Sequence, residues 1–187
     1  MNAPLLNEHE LLERSRQRNE AAFGELVAAY TPLLFRVVRR MVTDTMEAEA
    51  ILQETFWRFW KMLPGYREDR PLLPFLATIA SNLARDRYRR ESRVEDLDID
   101  VVLESRPSAD DQSLEQTVDK KKTLERLADA VQALPFAYRA VIALRYEAGM
   151  SYEEIAETLA LPLNTVRTRL RRAKQILRRQ IKEADDG

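Results

Sequence analysis

The stretch SYEEIAETLALPLNTVRTRLRRAKQILRRQIK, Ser151 to Lys182, decides how this chain is read. It predicts two helices with a sharp break between them. Ser151-x-x-Glu154 is a capping box: the serine oxygen accepts from the backbone N–H of Glu154, and the glutamate accepts from the N–H of Ser151. Ile155, Ala156 and Leu159 make the inward face of a short helix. Ala160-Leu161-Pro162 ends it, and Pro162 suits the start of the next helix because its fixed φ is helical and its missing N–H is not needed there. In the second helix Val166, Leu170, Ala173, Leu177 and Ile181 share one stripe at three- and four-residue spacing. The opposite side carries Asn164, Thr168, Arg171 and Gln175, flanked by Arg167 and Arg172. Leu163 to Lys182 holds eight Lys or Arg and no acid. A face this basic repels itself unless a polyanion is near. Short helix, turn, then a helix that begins with polar and arginine side chains is the pattern of a helix-turn-helix in the major groove. The plainer alternative is a solvated basic helix in a bundle.

The remaining composition fits that reading. The chain has 187 residues, room for one domain or two small ones, with 45% hydrophobic and 33% charged residues. Four glycines and little β-branched alternation imply an all-α protein. The absence of cysteine excludes a disulfide framework and thiolate metal sites and points to the cytoplasm. No signal peptide is read, and no apolar run approaches the ~20 residues of a membrane span, so no membrane insertion is expected. Net charge is −1, so a DNA binder of this composition must segregate its charges and bind free DNA weakly.

Upstream, His9 to Arg18 and Glu20 to Val42 predict helices, with Pro32 kinking or splitting the second. Phe23, Leu26, Val27, Tyr30, Leu34, Val37, Val38 and Met41 are core candidates, and Arg36, Arg39 and Arg40 are expected on a solvated face. Met46 to Leu63 is the next helix. Leu52, Phe56, Phe59, Trp60 and Leu63 form its core stripe; Ile51, Glu54, Trp57, Arg58 and Lys61 lie on the other side. Trp57 there either marks a protein-binding surface or packs under a loop. After Pro64-Gly65 and the loop Tyr66 to Pro74, Phe75 to Arg90 is helical. Its Leu76, Ile79, Ala80 and Leu83 face inward. The face with Thr78, Ser81, Asn82, Arg85 and Arg89 can contact bases and phosphates or can simply be wet. Glu91 to Asp119 holds ten acids against two arginines and reads as a flexible linker, with Val101-Val102-Leu103 as an apolar knot inside it. Lys120 to Leu134 and Phe136 to Glu147 then open a second domain, where Val141, Ile142, Leu144 and Tyr146 can cover the reader.

The only histidine, His9, is expected at the surface without a partner. No phosphate-cradling glycine loop, metal-ligand spacing or nucleophile motif is present, so neither cofactor nor metal is expected, and the chain reads as a binding protein, not an enzyme.

Three blocks in order resemble the extracytoplasmic-function group of bacterial sigma factors: EAEAILQETFWRFWK, FLATIASNLARDRYRR and ALRYEAGMSYEEIAETLALPLNTVRTRLRRAK. The resemblance implies two small helical domains joined by a flexible acidic linker, at 1–92, 93–118 and 119–187, the last with a helix-turn-helix. It implies promoter recognition as a dissociable subunit of bacterial core RNA polymerase, with promoter DNA and an anti-sigma factor as further partners. Gln53 and Glu54 match polymerase contacts, and Trp57 gains weight as a third. Asn82 and Arg85 match the helix that meets the minus-ten region, which places the Thr78, Ser81 and Arg89 face there too. Arg145, Arg167, Thr168, Arg171 and Arg172 match minus-thirty-five contacts, beside Asn164. Arg169 is expected to pack or pair. Ala50 stands where the family usually has Asp, and Ala160 and Pro162 where it often has Gly and Ser. The rival reading is a helix-turn-helix regulator that acts without joining polymerase.

Overall fold

The computed structural model describes residues 7–68, 71–92 and 120–185, with side chains described for 7–68, 71–90 and 126–181. The expected acidic linker at 93–118 lies outside the described residues. Every regular element among them is helical: α1 (Glu8–Arg16), α2 (Glu20–Met41), α3 (Thr45–Met62), a 3-10 turn (Leu63–Gly65), α4 (Leu72–Ser92), α5 (Lys120–Gln132), α6 (Phe136–Ile142), a π-helical turn (Ala143–Glu147), α7 (Tyr152–Leu159) and α8 (Leu163–Asp185).

Short polar caps set the helix starts. Asn19 accepts from the Ala22 N–H at 3.0 Å to begin α2, and Asp44 accepts from the Met46 N–H at 2.9 Å to begin α3. Each satisfies a backbone donor that the helix itself cannot. Between α1 and α2 the chain turns at Arg18 with φ +63°; its guanidinium donates to the Trp60 carbonyl and lies 5.0 Å from the centre of that ring.

The centre of the molecule is α2, which packs against α1, α3 and α4. Leu26, Tyr30, Leu34, Val37, Val38 and Met41 are all buried along it. By length and composition α2 could cross a membrane, contrary to the expectation that no segment comes near that; here its apolar stripe is the core of a helical bundle. Pro32 does not split α2, which runs unbroken through it. The carbonyl that loses its donor belongs to Ala28, four residues back on the exposed side, where water can satisfy it.

Ile51 was expected outside and is fully buried. α3 is covered by both α2 and α4, so its buried arc is wider than one stripe and takes in Ala48, Ile51, Leu52, Thr55, Phe56 and Phe59. Phe59, Tyr66 and Phe75 then close the end of this bundle, with ring centres 4.8–5.9 Å apart; Phe59 meets both of the others edge to face. α4 starts earlier than expected, at Leu72, because Leu72 and Leu76 both reach the core.

In the C-terminal half, α8 packs on α5, α6 and α7. Val166, Leu170, Ala173 and Leu177 are buried as expected, while Ile181 is half-buried. Tyr146, expected to cover the reader, is instead 55% exposed. The α-helix gives way to a π turn at Ala143, and the wider turn rotates the residues that follow away from the periodic face.

The two halves touch. α2 packs on α5, α6 and the π turn, and α4 packs on α7.

Candidate nucleic-acid interface

The reader is built from its turn upward. Ser151 Oγ accepts from the Glu154 N–H at 3.1 Å, and the Ser151 N–H donates to Glu154 Oε2 at 2.7 Å. This is the capping box the sequence predicts, and it fixes where α7 begins. Gly149 approaches it at φ +71°. Ala160 ends α7 in the left-handed region (φ 52°, ψ 49°), and the Leu161 N–H returns to the Ala156 carbonyl at 2.9 Å. This is a helix stop usually given to glycine. Pro162 then accepts from the Thr165 and Val166 N–H groups and launches α8.

On α8 the Val166–Leu170–Ala173–Leu177 stripe is sealed inside, which turns Asn164, Arg167 and Arg171 to solvent. Thr168 and Arg172 are half-buried beside them, and Arg167 leans toward Asn164 Oδ1 at 3.5 Å. Arg169 is half-buried off this face. Arg145 does not join them. Its guanidinium donates to the Met150 carbonyl at 2.7 Å and lies 5.2 Å from the centre of the Tyr152 ring, so it braces the loop into α7. Lys174 lies 5.8 Å from the centre of the exposed Tyr146 ring.

The residues expected on the α4 face are found in different situations. Ser81 is 1% exposed, its hydroxyl donating to the Thr78 carbonyl. In this arrangement it cannot reach DNA, a correction to its expected place. Thr78 bonds the Pro74 carbonyl and meets Thr158 of α7, with 3.0 Å between the two hydroxyl oxygens. Arg85 donates to Asn82 Oδ1 and to the Leu159 carbonyl, each at 2.9 Å. Arg89 is exposed.

A third surface lies on α3. Gln53 is exposed, and Glu54 accepts from Arg58 Nε one turn on at 2.7 Å. Trp57 is 52% exposed, with Lys61 Nζ 3.3 Å from its ring centre. It points outward and is not tucked under a loop. Gln53, Glu54, Trp57 and Arg58, with Leu83 and Arg87 opposite, line an open groove of about 560 Å³ between α3 and α4.

Sequence reasoning missed the polar contacts that join the halves. Arg36, Arg39 and Arg40 are not merely solvated. Glu147 of the π turn sits 2.9 Å from Arg40 Nε and 3.6 Å from Arg36 Nε. Arg39 donates to the carbonyls of Val42 and Thr43. Gln132 donates to the Arg39 carbonyl, and Tyr88 stacks on Phe136 at 4.6 Å. His9 also has a partner after all: its Nδ1 lies 2.6 Å from Glu68. His9, Glu13 and Glu68 come close enough to suggest a metal site, but Arg16 donates to both carboxylates, so the cluster is already engaged as an ion-pair network.

Two family models match the chain: "Sigma-70 region 2" over residues 26–94 and "Sigma-70, region 4" over 124–177. The chain is 30% identical to the "ECF RNA polymerase sigma factor SigW" of Bacillus subtilis, over 92% of this chain and 95% of that protein. It is 29% identical to the "RNA polymerase sigma-H factor" of Pseudomonas aeruginosa, over 91% of each. Among solved structures it is similar to CnrH in complex with the cytosolic domain of CnrY, with TM-score 0.63 and 26% identity over 94% of this chain and 97% of that one. CnrH of Cupriavidus metallidurans is 32% identical in sequence over 88% of each chain. A sigma factor RpoE bound to the anti-sigma factor NepR from Bartonella quintana shares the fold at TM-score 0.63.

Proposed function

This chain belongs to the extracytoplasmic-function sigma factors of bacterial RNA polymerase, proteins that direct transcription to chosen promoters, and from that premise we propose how its residues divide the work. Residues 1–92 dock on core polymerase and read the minus-ten region. Residues 93–118 tether, and residues 119–187 read the minus-thirty-five region. What supports the assignment is the exposed Asn164–Arg167–Arg171 face of α8, a helix that follows the capped α7 across a tight turn. Bidentate arginine contacts to guanine are worth ~1–3 kcal/mol each in discrimination. Thr168 and Arg172 flank that face as phosphate or base contacts. Arg145 acts indirectly, by holding the turn that aims α8.

In the first domain, Asn82, Arg85, Thr78 and Arg89 meet the minus-ten region. Gln53, Glu54 and Trp57 form the polymerase face, where an aromatic ring beside charged groups has the makeup of an interface anchor. Neither domain need bind tightly alone, because attachment to one polymerase raises the effective concentration of both. Polymerase performs the chemistry; this chain is a non-catalytic, cytoplasmic specificity subunit with no cofactor. An anti-sigma partner is part of the proposal: the similar RpoE is bound to the anti-sigma factor NepR, and CnrH to the cytosolic domain of CnrY.

The rival, a regulator that never joins polymerase, shares only the reader, whereas the similarity to sigma factors runs along more than nine-tenths of the chain. In vitro transcription from a genomic promoter pool, with core enzyme plus this chain, tests the proposal. Specific new start sites are expected. Their absence, with DNA binding intact, would favour the rival.

A further inference from the structure

We propose that Arg16 is a positioning residue for minus-ten recognition: from α1 it clamps Tyr66 and Glu68, and through the Tyr66 ring it sets where α4 begins. The inference rests on the assignment of Thr78, Asn82, Arg85 and Arg89 to the minus-ten face. Arg16 belongs to none of the three proposed binding faces. It reaches one of them through two aromatic rings.

The clamp starts with the spacing of α1. His9, Glu13 and Arg16 recur at four and three residues, so they share one side of that helix, while Leu11, Leu12 and Ser15 are buried. Arg16 Nη2 donates to the Tyr66 carbonyl at 2.7 Å, and Nη1 donates to Glu68 Oε1 at 2.8 Å and to Glu13. His9 Nδ1 lies 2.6 Å from the other Glu68 oxygen. Both oxygens of Glu68 are thus taken up by side chains two turns apart on α1. The Arg16 side chain is 22% exposed. Its planar fork aims two nitrogens at acceptors in different residues, a geometry that the compact ammonium of lysine does not reproduce. Ion pairs near the surface contribute little on their own. The bond to a main-chain carbonyl is what fixes the path of the segment leaving the 3-10 turn.

The grip passes to α4 by packing. Tyr66 is 7% exposed, and its ring centre stands 5.6 Å from that of Phe59 and 4.8 Å from that of Phe75. Phe59 is well inside α3, which α2 and α4 cover. Phe75 lies in the first turn of α4, where a helix yields most easily, so a displacement of Tyr66 falls on α4. Phe75, Thr78, Asn82, Arg85 and Arg89 follow one another at three- and four-residue spacing. Phe75 therefore heads the line of α4 that carries the minus-ten face. Recognition geometry tolerates only about 0.5 Å of error in such a line.

The test uses full-length protein, core polymerase and a promoter selected from the genomic pool. Discrimination is the ratio of transcripts from that promoter to transcripts from a copy with one base pair changed, in the minus-ten or the minus-thirty-five element. For the wild type a change in either element should cost about tenfold or more. Arg16→Lys keeps the charge beside Glu68 and gives up the fork. It should melt close to the wild type, bind core polymerase within about twofold and keep minus-thirty-five discrimination, while minus-ten discrimination falls to about twofold. Arg16→Met, which removes the donors and keeps the apolar stem, should show the same split more severely. If Arg16→Met does not fold, Arg16→Lys alone carries the test. An arginine that only stabilises the fold would lower polymerase binding and both discriminations together, in step with the melting temperature. That result overturns the proposal, as does an Arg16→Lys chain with wild-type minus-ten discrimination. Should Arg85→Ala leave minus-ten discrimination intact, the assignment of α4 to that element fails instead.

Discussion

The Arg85 guanidinium spans two domains: one nitrogen donates to Asn82 on its own helix and another to the Leu159 carbonyl at the end of α7, each at 2.9 Å. The pair Asn82–Arg85 is therefore pre-formed, and the remaining nitrogen is held by a backbone acceptor of the other half. The strength of the proposed minus-ten contact depends on how easily that backbone carbonyl gives the guanidinium up.

Arg171→Ala should weaken promoter selection while binding to core polymerase persists. Loss of a bidentate base contact would cost ~1–3 kcal/mol of discrimination at one base pair; loss of a phosphate contact alone would lower the salt slope of binding by about 1 without changing sequence preference. Transcription from promoters mutated one position at a time, beside a polymerase pull-down, separates these outcomes. Equal loss of polymerase binding and promoter selection would contradict the placement of Arg171 on DNA.

Ala160→Gly should stabilise the C-terminal domain. Ala160 holds φ 52°, a conformation that costs a side chain ~1–2 kcal/mol, and glycine removes that cost while adding ~0.4–1 kcal/mol of unfolded-state entropy. A net gain of up to about 1 kcal/mol is expected, read as a higher denaturant midpoint at unchanged slope. A lower midpoint would mean that the methyl group contributes packing that outweighs its backbone strain.

Ser151→Ala should act in the opposite direction. It removes the acceptor for the Glu154 N–H and leaves one half of the capping box. Such changes cost ~0.5–2 kcal/mol. Because α7 aims α8, promoter selectivity should fall with stability, and a Ser151→Asp variant, which restores an oxygen acceptor, should recover both.

The His9–Glu68 pair gives the N-terminal domain a pH-dependent contribution. The hydrogen bond to Glu68, followed by the attraction of its charge, raises the His9 pKa above 6.5. For Glu68 the largest effect is burial, which pushes its carboxyl up, but the hydrogen bonds from His9 and Arg16 together outweigh it and hold the carboxyl below its ordinary 4.5. A raised histidine contributes stability below its unfolded pKa and loses it as pH rises through the folded value. A lowered carboxylate contributes above its unfolded pKa and loses it in acid. The pair is therefore strongest between about pH 4.5 and 6.5. The melting temperature of the wild type should exceed that of His9→Ala most near pH 5.5, and the gap should narrow by pH 8.5. A gap independent of pH would sink the assignment.

The reader was legible in the sequence because its signals are local. A capping box, a proline and a 3.6-residue stripe lie within thirty residues, and Ser151, Val166, Leu170 and Ala173 stand where that pattern puts them. The sequence misjudged residues whose environment is set by distant chain. Ile51 looks outward on a single-stripe wheel and is buried because two helices cover α3. Tyr146 follows a helical period that the π turn breaks. Ser81 shares a face with Asn82 and Arg85 on the wheel, yet it is sealed against its own backbone. Glu147 and Arg40 are 107 positions apart, and no periodicity connects them. Pro32, a strong local signal, does not split α2, since its cost falls on a carbonyl that water can reach.

Trp57 and Trp60 are three residues apart on one helix, the first half open to solvent beneath an ammonium group and the second half-buried beneath the Arg18 guanidinium. These are the molecule's only two indoles. Ultraviolet emission from the unlabelled chain thus has two origins in contrasting surroundings: a partner that covers α3 would blue-shift one, and melting of the bundle would red-shift the other.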